Sequence, residues 1–191
     1  MRTIDLGPCP ALLHEHDPDR CVVVLPGRQY STQAPLLWFA REVSEARGWS
    51  VLEVRDALPD GADPAGWARD RARRALDRAG SAEVVVLGKS LASAAAGLVA
   101  DRVLPAVWLT PLLNLRHVAD DLSRAGRPTL LVGGSADEAW VPDALADSGL
   151  LEIVHLEGLD HSLQRPGHPT ASLTALRAVA ERVDRFLGDL A

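Results

Sequence analysis

Six short, almost wholly apolar runs rich in β-branched residues are separated by longer segments with helical spacing, and this alternation most constrains the fold. The runs are 21–27 (CVVVLPG), 50–56 (SVLEVRD), 83–88 (EVVVLG), 104–113 (LPAVWLTPLL), 128–134 (PTLLVGG) and 149–158 (GLLEIVHLEG). A strand that is apolar at nearly every position must be buried on both faces, which implies a parallel sheet covered by helices on either side. The helical segments are 34–48, 63–80, 90–102, 115–126 and 170–190. In the first, Leu36, Leu37, Ala40 and Val43 fall on one face and Gly48 ends the pattern; in the second, Asp63 is the N-cap, Pro64 lies in the first turn and Gly80 closes it. The expected architecture is a doubly wound, mostly parallel α/β sheet of six to seven strands, with the first twenty residues adding an edge strand or hairpin. No repeat, low-complexity tract or linker divides the 191 residues, so a single domain over 1–191 is expected.

Composition narrows the function classes. A formal charge of −6 provides no basic footprint for nucleic acid. No run of 18 apolar residues marks a membrane span, and the N-terminal stretch MRTIDLGPCPALLHEHDPDR lacks the apolar segment of a signal peptide, so a cytoplasmic protein is expected. Cys9 and Cys21 are too few for a disulfide framework or a cysteine zinc site and are read as buried thiols. His14-Glu15-His16 lacks a third ligand at metal-binding spacing, so neither a metal nor a cofactor is expected.

The stretch EVVVLGKSLASAAAG (83–97) carries two competing motifs. Gly88-Lys89-Ser90 could end a phosphate-binding loop, but that loop needs a glycine at position 83, which is Glu83, and residues 84–87 form a strand instead of a wide loop. The alternative is a nucleophile elbow, in which a strand turns tightly at a serine into a helix. That turn needs small residues two before and two after the serine, and these are Gly88 and Ala92. It would set Ser90 at a helix N-terminus, with the N–H of Leu91 available to a developing oxyanion.

A serine needs a general base, and the base an orienting acid. Asp137, in SADEAW after the 128–134 run, and His161, in LDHSL after the 149–158 run, follow Ser90 in that order, each just past a strand. In a doubly wound sheet those strand ends share one edge. Glu138 is the minor alternative acid, Asp160 is read as a loop brace, His155 as a satisfied sheet histidine and His168 as a surface residue. A second oxyanion donor is expected from VVVLPGRQYST, at the N–H of Arg28 after the Pro26-Gly27 turn, with Gln29 and Tyr30 lining the same mouth.

These three segments, VVVLGKSLASAAAG, LVGGSADEAW and LEGLDHSLQRPG, resemble the α/β-hydrolase family over residues 20–190, and within it the small capless members near the dienelactone-hydrolase-like group. The resemblance implies Ser90 as nucleophile, His161 as general base and then acid, Asp137 as orienting carboxylate, and backbone oxyanion donors at Leu91 and Arg28. Ala92 departs from the usual second elbow glycine, and Pro26 from the histidine often found before the oxyanion glycine. Lys89, where many members carry histidine, is read as a surface residue at the mouth, or else as a positive charge facing an anionic substrate. The strand near Leu113 runs almost directly into a helix, leaving no room for a cap. Trp108 and Trp140 are assigned to the walls of the open site, Trp38 and Trp49 to the core. The expected activity is hydrolysis of a small ester, thioester or related acyl substrate. An acyltransferase or cyclase with the same triad, and a non-catalytic ligand-binding protein, are the alternatives. No nucleic acid or membrane span enters this reading, and homodimer formation is left open.

Overall fold

In the computed structural model, residues 1–80 and 83–190 are described. The chain forms an eight-stranded sheet in the order β1-β2-β4-β3-β5-β6-β7-β8. Strands β1 (Arg2–Asp5) and β2 (Pro10–His14) form an antiparallel hairpin on one edge. β2 joins β4 (Trp49–Val54) antiparallel, and β4 lies parallel to β3 (Asp17–Leu25). From β3 onward through β5 (Glu83–Lys89), β6 (Ala106–Leu109), β7 (Thr129–Gly134) and β8 (Leu151–Leu156), every pairing is parallel. The count exceeds the expected six to seven because both arms of the N-terminal hairpin pair fully. The hairpin turns at Gly7, whose φ of +81° suits glycine and whose N–H donates to Asp5 Oδ1 at 2.8 Å.

Side-chain alternation along the strands builds two cores. On one face Val22, Val24, Trp49, Val85, Leu87, Leu130 and Val132 pack against α1 (Pro35–Ala46) and α5 (Pro169–Asp189). On the other, Val23, Val86, Trp108 and Leu131 meet α2 (Pro64–Ala79), α4 (Arg116–Ser123) and the segment after β5. Asp63 caps α2 as expected, accepting from Gly66 N–H at 2.8 Å, and Gly80 ends it at φ +51°. The expected helix 90–102 is instead a 3-10 turn, Ser90–Ala95, followed by α3 (Ala96–Asp101). Ser93 Oγ–H donates back to the Ser90 carbonyl at 2.7 Å, closing the tighter i to i−3 turn.

Only residues 110–115 separate β6 from α4, so no cap is inserted there. β6 ends before the expected residue 113 because Thr110 turns to φ +47° and Pro111 has no N–H for the ladder. Trp49 is core as expected, whereas Trp38 is only half-buried and meets Phe39 edge-on. Among the described residues no helix is long and apolar enough to cross a membrane.

Candidate active site

The site is built outward from the end of β5, the middle of the sheet, where Gly88 pairs with Leu25 on one side and Trp108 on the other. Ser90 follows at φ +52°, a left-handed conformation that costs a non-glycine residue on the order of 1–3 kcal/mol. The neighbours hold that strain in place. A Cβ on Gly88 would stand 2.6 Å from the Trp108 ring and 2.9 Å from Ala92 Cβ, so only glycine fits at 88 and only a very small side chain at 92. Ser93 Oγ also accepts from Leu112 N–H at 3.1 Å, pinning the turn to the loop after β6.

Asp137 leaves the end of β7 buried, its side chain 3% exposed, and accepts at Oδ1 from Ala139 N–H at 2.9 Å. Its Oδ2 lies 2.7 Å from His161 Nδ1, and His161 Nε2 lies 2.7 Å from Ser90 Oγ. A carboxylate only accepts, so Nδ1 carries the imidazole proton and Nε2 is left to accept the Ser90 hydroxyl proton. Glu138, beside Asp137, points out to solvent. Asp160 serves the loop, accepting at Oδ1 from the N–H groups of Ser162 and Gln164 at 2.8 and 3.0 Å. Gly134 permits this loop to approach, since a Cβ there would fall 2.1 Å from the Leu159 carbonyl oxygen.

The loop after β3 leans on the elbow from above. Gly27 N–H donates to the Tyr30 carbonyl at 2.9 Å, and a Cβ on Gly27 would lie 3.4 Å from the Lys89 carbonyl and 3.5 Å from Ser90 Cβ. Arg28 and Gln29 are exposed at its tip, and Leu91 is buried directly after the serine. The Tyr30 hydroxyl accepts from Leu36 N–H at 3.0 Å, and burial pushes its pKa above the usual phenol value. Thr32 and Gln33 then donate to Glu53 Oε1, at 2.5 and 2.7 Å. Glu53 is fully buried in β4 and also meets Arg41 (3.2 Å) and His14 (3.3 Å) through Oε2. Burial raises its pKa, but the bonds from Thr32 and Gln33 and the Arg55 and Arg41 guanidiniums outweigh that and hold it below the usual carboxylate value. Sequence reading passed over this anchor, because a single glutamate in an apolar strand reads as an outward polar position.

Three expected placements change. Lys89 is 1% exposed and not on the surface. Its Nζ donates to Thr110 Oγ1 and to the His161 carbonyl, both at 2.9 Å, and lies 4.5 Å from the Tyr30 ring centroid. Burial lowers its pKa to about 8, with Asp137 and Asp160 pulling the other way. Trp140 is buried on Gly133, where a Cβ would overlap its ring, and its Nε1–H donates to His155 Nδ1 at 3.0 Å. It therefore packs behind β7, and Trp108, 1% exposed, likewise belongs to the core.

An apolar cleft of about 170 Å³ adjoins the histidine loop, lined by Tyr30, Leu36, Ser162, Leu163, Leu173 and Leu176. A larger cavity of about 390 Å³ lies among Arg2, His16, Cys21, Ser50 and Arg78, where β3 and β4 begin, and includes none of the residues around Ser90.

Solved structures of the same fold span nearly the whole chain. Est1E from Butyrivibrio proteoclasticus, solved with ferulic acid bound, superposes with a TM-score of 0.75 at 14% identity, covering 99% of this chain and 98% of that one. Dienelactone hydrolase from Anabaena variabilis gives 0.73 at 19% identity, covering 98% and 95%. An α/β serine hydrolase without lid from Xanthomonas campestris gives 0.67 at 16%, covering 95% and 93%. No protein-family model matches, and neither does any curated protein sequence. At these identities the likeness is one of fold: the chain has the α/β-hydrolase fold without a cap.

Proposed function

We propose that this chain of α/β-hydrolase fold is a serine hydrolase that cleaves a small ester or thioester through an acyl-Ser90 intermediate. The observation that carries the reading is the pair of 2.7 Å contacts joining Asp137, His161 and Ser90 in one line. Ser90 Oγ attacks the substrate carbonyl carbon as its proton passes to His161 Nε2. The resulting oxyanion is met by the N–H groups of Leu91 and Arg28, and Asp137 stabilises the imidazolium through Nδ1–H. Collapse breaks the bond to the leaving group, which takes the proton from Nε2. Water then gives a proton to Nε2 and attacks the acyl carbon, and Ser90 departs with the proton restored.

Hydrolysis is preferred over transfer to another acceptor because the His161 side chain is 40% exposed, leaving the acyl-enzyme open to water. The strained Ser90 argues against a purely ligand-binding role, since a binding pocket has no need of that conformation. The cleft beside Tyr30 and Ser162 suits the apolar part of the substrate. Dienelactone hydrolase and the lidless serine hydrolase support the reading by their shared fold. The test is labelling by a fluorophosphonate probe: the wild type reacts and Ser90→Ala does not. Equal labelling of both, or of neither together with no turnover of p-nitrophenyl esters, sinks it.

A further inference from the structure

Lys89 has no place in the acyl-transfer steps, yet it is a charged side chain withdrawn almost completely from water one residue before the nucleophile. Burying an ammonium is unfavourable unless its donors are satisfied, and here each faces a partner: the Thr110 hydroxyl, the His161 carbonyl and the face of Tyr30. Its direction follows from strand alternation. Lys89 continues the row of Val85 and Leu87, which face α1 and α5, while Gly88 faces Trp108 and the elbow turn. The side chain therefore runs beneath the serine on the side opposite the elbow turn and emerges under the histidine loop.

We propose that Lys89 is a positioning residue that fixes the main chain of His161 to the elbow, so that Nε2 stays in line with Ser90 Oγ. Asp160 shapes the histidine loop internally, and Asp137 holds one ring nitrogen. Neither ties the loop to the strand that carries the nucleophile. Lys89 makes that connection across 72 residues of sequence, and it gathers the turn after β6 at Thr110 and the oxyanion loop at Tyr30 on the same ammonium. The role rests on the serine-hydrolase reading and adds a partner to it. Loss of the tie lets the imidazole drift, and a displacement of about 1 Å can cost on the order of 100-fold in rate.

The test exploits the fact that Lys89 is the only lysine in the chain. Lys89→Met keeps most of the volume and removes the donors. With p-nitrophenyl butyrate it is expected to lower kcat about 10- to 100-fold with KM within about twofold, and to slow fluorophosphonate labelling by the same factor. In wild-type protein carrying 13Cε-labelled lysine, the single lysine resonance is expected to move when Ser90 is phosphonylated. Labelling and turnover of Lys89→Met at wild-type rates overturn the proposal while leaving the hydrolase reading intact. A wild type that the probe does not label overturns both. If Lys89→Met does not fold, Thr110→Val takes its place with an expected severalfold fall in kcat. An unchanged kcat there, with a lysine resonance indifferent to phosphonylation, overturns the role.

Discussion

The Cβ that Gly88 lacks would lie 2.9 Å from Ala92 Cβ, which explains how the elbow tolerates alanine where the family's pattern carries a second glycine. The two positions share one small volume, and glycine at 88 leaves room for a methyl at 92. Gly88→Ala is expected to lower stability by about 1–3 kcal/mol through overpacking against Ala92 and Trp108, read as a lower urea midpoint, and to reduce kcat by tilting Ser90. Ala92→Gly should retain activity. A Gly88→Ala protein with wild-type stability and rate would show that the turn has more room than these distances allow.

Asp137→Asn is expected to reduce kcat by about 10³–10⁴ with little change in KM, because an amide can no longer select the Nδ1–H tautomer of His161. Steady-state kinetics with p-nitrophenyl acetate checks this, and circular dichroism confirms that the variant folds. A loss confined to KM would remove Asp137 from the orienting role.

Glu53 ties the loop after β3 to the sheet through Thr32 and Gln33, so its protonation should loosen both. Its pKa is lowered from 4.5 on folding, so the native state binds fewer protons than the unfolded state as pH falls past that value. The contribution is therefore complete above about pH 5 and lost as pH drops through the folded value. Glu53→Gln should be less stable than wild type at pH 7, and the gap should narrow toward pH 4 in urea titrations. A gap independent of pH contradicts this account.

Lys89 has a dependence of the same sign in a higher pH window. Its folded value of about 8 lies below the 10.5 of a free lysine, so the native state releases its proton first and stability should rise with pH between these limits. At about 1.4 kcal/mol per unit the full effect is on the order of 3 kcal/mol. Cys9 and Cys21, both raised from 9.0 to about 11 chiefly by burial, act in the reverse sense above pH 9. The difference between wild type and Lys89→Met isolates the lysine: the variant's relative advantage should shrink from pH 7 to pH 10. A constant difference would mean that Lys89 titrates as an exposed amine.

The alternation of apolar strands with helical segments was enough to establish a parallel sheet covered on both faces, because that requirement is local: each strand carries its own apolar positions. The same holds for Asp63 and Gly80, which bound α2 through groups within a few residues. Ser90, Asp137 and His161 could be singled out because each stands just past a strand end, and parallel strands deliver their ends to one edge. Lys89, Glu53 and Trp140 could not be read in this way. Their sequence neighbours say on which side of a strand or loop they point, but not what arrives there from elsewhere in the chain. Only the packed structure brings His161 to Lys89, Thr32 and Arg41 to Glu53, and Gly133 to Trp140, and so decides that two charges are buried with partners and that an aromatic residue expected at the mouth lies in the core.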